Sequence, residues 1–461
     1  MDNEKTSIGV LNENITVLEK LYNQTLQNVN NNFDLFWTII FGLAALFAAI
    51  LIFLTRNTVN FGGGKMPLKA IGGEINSQSL NNNFSYLESE KLGKSELYYV
   101  DVHKYGAVGD GIVDDYSAIQ AAINAAGNGI VQFKAKKYLI TKPLIVPSKT
   151  VLKGTAAYWN SPNEGTRIEK KVSTKLTTPF SRLASNGKTD SYDVDAIIML
   201  DHADSTYNVG VTIKNILLLG TSDSQRTYGI YAPRNTMLRL KNVHTLYCDY
   251  GFYTFNTWMS QLDHFTARQG ITGVKFADDG SAFSTGTSIL FNNCFSSYMS
   301  DAGYDVYGLY YSVFNSCGAD FLKTAYRMNR SSITINSCGT ENSNEAVSNW
   351  ASQVTVNSMK TFNMIGATSG TTAYLSARQS GVTVFNACDF PAFNSAGGST
   401  NYNIICDNGG KMQFNLTPKP TGAGTFISYS GGAVIIENDG NSIKKTYNDG
   451  SGVVTKSVSW V

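Results

Sequence analysis

Charge is scarce in this chain of 461 residues: Asp, Glu, Lys and Arg make up only 16%, and the net charge is +2. Without a basic field the chain has no electrostatic footprint for a nucleic-acid backbone, so that partner class is excluded. Histidine is scarcer still. The four His residues fall in no HExxH spacing, and no two Cys form a CxxC, which argues against a zinc site. Acids in calcium-binding order are also missing; Asp193, Asp195, Asp278 and Asp279 are the nearest approach. No cofactor is implied. Proline is limited to nine residues against 42 Gly, and Asn, Ser and Thr are plentiful, a balance that suits many short strands joined by tight turns.

Long apolar runs are absent too, with one exception near the N-terminus. Ile8, Leu11, Ile15, Leu18, Tyr22, Thr25, Val29 and Asn32 recur at alternating steps of three and four, a heptad seam that reads as a short coiled coil over 1–34 or as a lone amphipathic helix. It leads into LFWTIIFGLAALFAAILIFL, Leu35 to Leu54, which carries no charge. At about 1.5 Å per residue this run spans about 30 Å, the thickness of a bilayer core. A transmembrane helix over 35–54 is the expectation; a buried core helix is the alternative, and a cleaved signal peptide would need a basic start and an earlier apolar stretch. Arg56, Lys65 and Lys69 follow the run while only Lys20 closely precedes it, which would leave the remainder of the chain on the cytoplasmic side. Residues 55–98 are a Gly- and Asn-rich connector, within which Met66 opens a stretch that reads like the start of a separate protein.

From Tyr99 onward a helical period occurs once, in DDYSAIQAAINAAGNG. Asp114 or Asp115 caps it, Ile119, Ala122, Ile123 and Ala126 form its apolar face, and Gly127 ends it. Short β-type runs follow, each closed by Asn: Asn215, Asn242, Asn292, Asn315, Asn336, Asn363, Asn386, Asn415 and Asn438. Their spacing is 21 to 29 residues, with one step of 50 that Asp263 in LDHFTA divides. A period of that length built from short strands predicts a solenoid, since one coil cannot bury its apolar face alone. Within it the Asn side chains are expected to stack as an inward ladder, and Cys294, Cys317, Cys338 and Cys388 as small buried residues. Four of the six Cys used in this way suit a reducing compartment rather than a disulfide framework.

The stretch Tyr99 to Ile140 closely resembles the opening of the pectate lyase superfamily, which includes rhamnogalacturonase-like and epimerase-like proteins and many phage tailspikes. The resemblance is carried by Tyr105-Gly106-Ala107, Gly109-Asp110-Gly111, Asp114-Asp115, Ala118-Ile119-Gln120, Phe133 and Tyr138; Lys134, Ala135, Lys136 and Lys137 stand where that family has a Pro and a Gly. Further on, GYDVYGLYYSVFNSCGAD and ITINSCGTE look like the middle of phage tail-associated β-helices, and the Met66 stretch is similar to their virion-attachment segments. The resemblance implies an all-β, right-handed parallel β-helix over 99–390 closed by an N-terminal capping helix, with 391–461 adding terminal coils or a β cap. It also implies a homotrimer on a virion tail that acts on a bacterial surface polysaccharide.

Chemistry is sought where the repeat carries acids. FNSCGAD and INSCGTE lie 21 residues apart and place Asp320 and Glu341 in equivalent positions. Stacked on neighbouring coils about 4.8 Å apart, two carboxylates suit retaining glycoside hydrolysis and raise one pKa. Ser297 one coil earlier and Pro391 two coils later take the same place, so the acids are local. Asp301 or Asp305 with Glu341 is the inverting alternative. Tyr304, Tyr307, Tyr326 and Trp350 are candidates to stack on sugar, with Arg327 as a polar contact. Both acids could instead be solvated turn residues, or bonded to Arg327. A lyase would use Arg327 or Arg330 as base, and a non-catalytic receptor-binding or membrane-anchored surface protein is a further alternative.

Overall fold

The short apolar runs after Tyr99 become strands because each can pair in parallel with the run one repeat further on. The computed structural model describes residues 99–461 except 162, 171–175, 178–181, 184–188, 191–192, 201–206, 221–226, 279–285, 365–373, 391–401, 418–425, 430–431, 449–452 and 460–461. The heptad stretch 1–34, the apolar run Leu35–Leu54 and the connector 55–98 lie outside the described residues. Among the described residues, no helix is long and apolar enough to cross a membrane.

The architecture is an all-β parallel β-helix whose coils turn through three long sheets. On the first, Leu290–Asn292, Ser312–Asn315, Ser332–Asn336, Gln353–Asn357, Val382–Asn386 and Lys411–Asn415 pair in unbroken register. The second carries Phe295–Tyr307, Gly318–Asp320, Gly339–Glu341 and Lys360–Phe362. On the third, Phe295–Tyr307 continues past a corner and pairs with Thr324–Asn329, which pairs with Glu345–Trp350. Past residue 390 the coils go on through Val434–Asn438, where Ser442–Asn448 and Val453–Ser459 add antiparallel strands. At the other end α1, Tyr116–Ala126, buries Ile119, Ala122, Ile123 and Ala126 as its period predicts, with Gly127 at its C-cap. Asp114 Oδ1 accepts from the Tyr116 N–H (3.1 Å), and Asp115 accepts instead from Val108 and Gly109.

Alternation along each strand sends every second side chain inward. Phe291 and Phe314 stack there at 4.1 Å with 1° between rings, and Tyr304 and Tyr326 stack beside them at 5.2 Å. Cys294, Cys317, Cys338 and Cys388 are buried free thiols, with Met359 filling the coil between the last two. Their Sγ atoms donate to carbonyls of their own and the preceding coils, as from Cys317 to Asn315 (3.4 Å) and Phe291 (3.6 Å).

The asparagine ladder differs from expectation in three respects. Its members are half-buried at the corner rather than inward, because Asn follows an inward Phe, Ile or Val. In the coil assigned to Asn363 the true member is Asn357: Asn336 donates to Asn315 (3.0 Å), Asn357 to Asn336 (2.8 Å) and Asn386 to Asn357 (2.8 Å). Asn215 and Asn242 form a separate pair (3.1 Å) one position further along, at positive φ. Asp263 does fill the long step, in register between Lys241 and Asn292.

Because Phe314 touches three aromatic neighbours, Phe291, Tyr304 and Tyr326, Phe314→Ala is expected to cost about 3–5 kcal/mol of stability. Guanidinium unfolding of the two chains measures it as a lowered midpoint.

Candidate functional site

Asp320 and Glu341 occupy paired positions on adjacent strands of the second sheet. Their column runs Leu246, Arg268, Ser297, Asp320, Glu341, Phe362. Parallel strands lie about 4.8 Å apart, so the two carboxyl groups rise side by side from half-buried positions. Asp320 Oδ1 accepts from the Glu341 backbone N–H (2.8 Å), which fixes its orientation. Asn363 Nδ2 lies 3.4 Å from Glu341 Oε1. Burial pushes the Asp320 carboxyl up to about 6; the Glu341 charge adds to the rise, and the Glu341 N–H opposes it. The column thus holds a carboxyl group that is protonated in mildly acidic solution beside a second acid, a pairing suited to proton transfer at a glycosidic oxygen.

The strands that carry these acids are braced from inside. Tyr304 and Tyr326, expected to stack on sugar, are fully buried (0% exposed) and cannot do so. Alternation points them into the coil, where Tyr326 Oη donates to the carbonyls of Cys317 (2.8 Å) and Gly339 (3.2 Å), and Tyr304 Oη to Gly318 (3.1 Å). Those carbonyls belong to the segments that end in Asp320 and Glu341. The two tyrosines therefore position the acids from behind.

Asp301 and Asp305 sit past the corner, where Arg327 holds both. Its Nη2 and Nη1 donate to Asp301 at 2.8 Å each, and its Nη1 to Asp305 at 3.0 Å. Lys275 also pairs with Asp305, at 2.5 Å. The bond to Arg327 holds the Asp301 carboxyl below its ordinary value, and Arg327 itself is held above its own, against the effect of burial. Arg327 thus ties both carboxylates into one ion-paired network on the third sheet, and a guanidinium held protonated in this way does not serve as a lyase base. Tyr307 and Trp350 lie at the far edge of the third sheet, in register through Asn329. From Ala302 to Tyr307 that sheet is about 17 Å wide at 3.3 Å per residue, so neither residue is beside Asp320. Arg330 Nη1 donates to Tyr307 Oη (3.0 Å) at that same edge. Of the sparse acids, Asp195 is taken by Lys170, and among the described residues no group of three His, Cys, Asp or Glu is gathered to hold a metal ion.

Residues that sequence reasoning passed over surround the pair instead. Tyr298 and Phe321 occupy the corner just after Ser297 and Asp320, both at positive φ (56° and 57°), and stack at 4.6 Å with 4° between rings. Both are exposed, at 47% and 42%. Arg268 lies over the Trp159 ring at 3.9 Å and over Tyr298 at 5.2 Å. Tyr298 and Phe321 each follow a member of the acid column, a signal the repeat contained; Trp159 comes from a loop outside the repeat and gave none.

Because Asp320 is raised, its neutral form is the one the fold favours. Its favourable contribution is complete below the unfolded value near 3.8 and is lost as pH rises through about 6. Asp320→Asn, neutral throughout, is expected to melt about 2 °C above the wild type at pH 7.5, with the gap shrinking at pH 4.5. Scanning calorimetry at both pH values checks this.

Residues 99–370 match the family described as rhamnogalacturonase A/epimerase, pectate lyase-like. A capsule K30/K69-specific depolymerase of Klebsiella phage K64-1 is 35% identical over 81 residues, 18% of this chain and 10% of that protein. The plasmin and fibronectin-binding protein A of Streptococcus pneumoniae is 43% identical over 83 residues, 16% of this chain and 12% of that one. The chain thus spans about a tenth of the length of these curated relatives. Among solved structures, the gp42 tailspike of Acinetobacter phage vb_AbaP_AS12 superposes with a TM-score of 0.64 at 17% identity, covering 79% of this chain and 66% of that chain. The DFA-IIIase of Arthrobacter chlorophenolicus A6 gives 0.52 at 11% identity, covering 69% and 88%. These two show a shared fold. With its opening motif, its in-register coils and a match over more than half its length, the chain belongs to the rhamnogalacturonase A/epimerase, pectate lyase-like family.

Proposed function

We propose that the chain is a tailspike-type depolymerase that cleaves a bacterial capsular polysaccharide by glycoside hydrolysis. The observation that carries the reading is the in-register pair of Asp320 and Glu341, with Asp320 raised by burial to about 6. Carboxyl groups projecting from strands one coil apart suit a retaining reaction, which needs them about 5–5.5 Å apart. Asp320 gives its proton to the glycosidic oxygen as that bond to the anomeric carbon breaks. Glu341 attacks the same carbon and forms a glycosyl ester. Water, deprotonated by Asp320, then releases the sugar and restores both groups. The depolymerase of Klebsiella phage K64-1, specific for a capsule, supports this choice of substrate class.

The same reading places the protein on a virion tail as a homotrimer. The heptads before residue 34 could help to gather three chains, and Leu35–Leu54 would serve a membrane-anchored form. A second reading, a binding protein without catalysis, is favoured by the local identity to the plasmin and fibronectin-binding protein of Streptococcus pneumoniae.

Incubating the full chain with a panel of purified capsular polysaccharides and following chain length by size-exclusion chromatography separates the two. Shortening of a polymer by the wild type, with a loss of at least about a hundredfold in Asp320→Asn and in Glu341→Gln, is the expected result. Cleavage that both variants retain would remove these residues from the mechanism. Binding to encapsulated cells without release of any fragment would favour the adhesin.

A further inference from the structure

Lys170 and Asp195 form an ion pair in which each side chain is only 1% exposed. Lys170 closes the strand Arg167–Lys170, in register beside the buried Ile140. Asp195 comes 25 positions later, between the buried Val194 and Ala196 and directly before the strand Ala196–Leu200. Between them the chain carries two nested antiparallel pairs: Leu176–Thr177 with Asp193–Val194, and Arg182–Leu183 with Thr189–Asp190. The ion pair therefore stands at the root of a hairpin excursion from the coil, well apart in sequence from the acidic pair.

Burying an ammonium and a carboxylate together penalises both charges, and burial brings the Lys170 amine down to about 8. Passing one proton from Nζ to Oδ1 replaces the ion pair by a neutral amine facing a neutral carboxyl group. A desolvated neutral lysine is a nucleophile, and holding it against the Asp195 carboxyl removes the entropic barrier of an encounter. The second oxygen is addressed separately. Thr227, itself buried, donates from Oγ1 to Asp195 Oδ2 at 3.5 Å. Amide formation needs this division: protons for the oxygen that leaves, and a hydrogen-bond donor for the oxygen that takes up negative charge.

We propose that Lys170 and Asp195 condense after folding into an intramolecular amide that ties the two ends of the hairpin excursion together. Lys170 Nζ attacks Asp195 Cγ, and the Cγ–Oδ1 bond breaks after the Nζ–Cγ bond has formed. Starting from the ammonium, Nζ gives up two protons, both to Oδ1, which departs as water. Oδ2 carries the negative charge of the tetrahedral intermediate, stabilised by Thr227, and remains as the amide oxygen. The step consumes no oxidant and no co-reactant. Once it is made, a backbone break anywhere between Lys170 and Asp195 leaves the chain in one covalent piece.

Mass spectrometry of the denatured full chain reads the bond directly, because amide formation removes one water whereas an ion pair removes nothing. Wild type held after folding at a pH above about 8, where the amine is neutral, is expected to lose one water per chain. Peptide mapping should then find the peptide of Lys170 joined to that of Asp195. Lys170→Arg keeps the charge but supplies no nucleophilic amine, and it is expected to retain its full mass. Thr227→Val is expected to form the bond at least about tenfold more slowly, and a thermal melt of each variant confirms folding. Limited proteolysis is a second readout: wild type nicked within 171–194 should run as one band in a denaturing gel, and Lys170→Arg as two. A folded wild type that keeps its full sequence mass after prolonged incubation overturns the proposal and leaves an ion pair only. A loss of water that persists in Lys170→Arg, or that maps to other residues, overturns it equally.

Discussion

Along its paired strands each coil follows the backbone path of the coil below it, because the parallel hydrogen bonds fix the register, with a shift only at a few points such as Gly270–Thr272. Each residue therefore sits on top of its equivalent about 4.8 Å away, and the sequence at any position has to tolerate a copy of itself. Asn does so through an amide that donates to the coil below and accepts from the coil above, as Asn315, Asn336, Asn357 and Asn386 show. Phe does so by stacking, and Cys by being small and donating to carbonyls of its own and the preceding coils. Carboxylates do not. Where Asp320 meets Glu341 the column has left the rule of self-tolerance, and the Glu341 charge adds to the rise that burial imposes on the Asp320 carboxyl.

That contrast explains what could be read from the sequence. The period, the capping helix and the buried thiols were legible because stacking repeats the same residue types at fixed steps. The acidic pair was legible for the same reason, since FNSCGAD and INSCGTE align without a gap. The misplacement at Asn363 came from a coil in which Met359 replaces Cys, so the familiar Asn-Ser-Cys cue was missing and a neighbouring Asn drew the assignment. Half-buried corner Asn residues looked inward because sequence period alone does not tell a corner from a face.

Side-chain roles were harder to read than positions. Tyr304, Tyr307, Tyr326 and Trp350 cluster in sequence, yet the three paired strands that carry them distribute them between the interior and one edge of the third sheet. Alternation places Tyr304 and Tyr326 behind the acids, where they fix carbonyls. Arg327 faces Asp301 and Asp305 across adjacent strands, a pairing that only the register between Phe295–Tyr307 and Thr324–Asn329 reveals. The residues that do surround the acids come from four separate coils and a loop, and no short motif can announce such a set.

The corner between the second and third sheets bends through Tyr247, Gln269, Tyr298, Phe321, Asn342 and Asn363, each with positive φ. None is glycine, so the bend is imposed by the strands on either side and not by the freedom of the residue that makes it. Large, small, polar and aromatic side chains all occupy the same backbone geometry there, with their side chains outside the packed interior. The outer chemistry of the coil and its inner packing are therefore inherited separately. Corner residues can therefore be exchanged one by one while the scaffold beneath stays as it was.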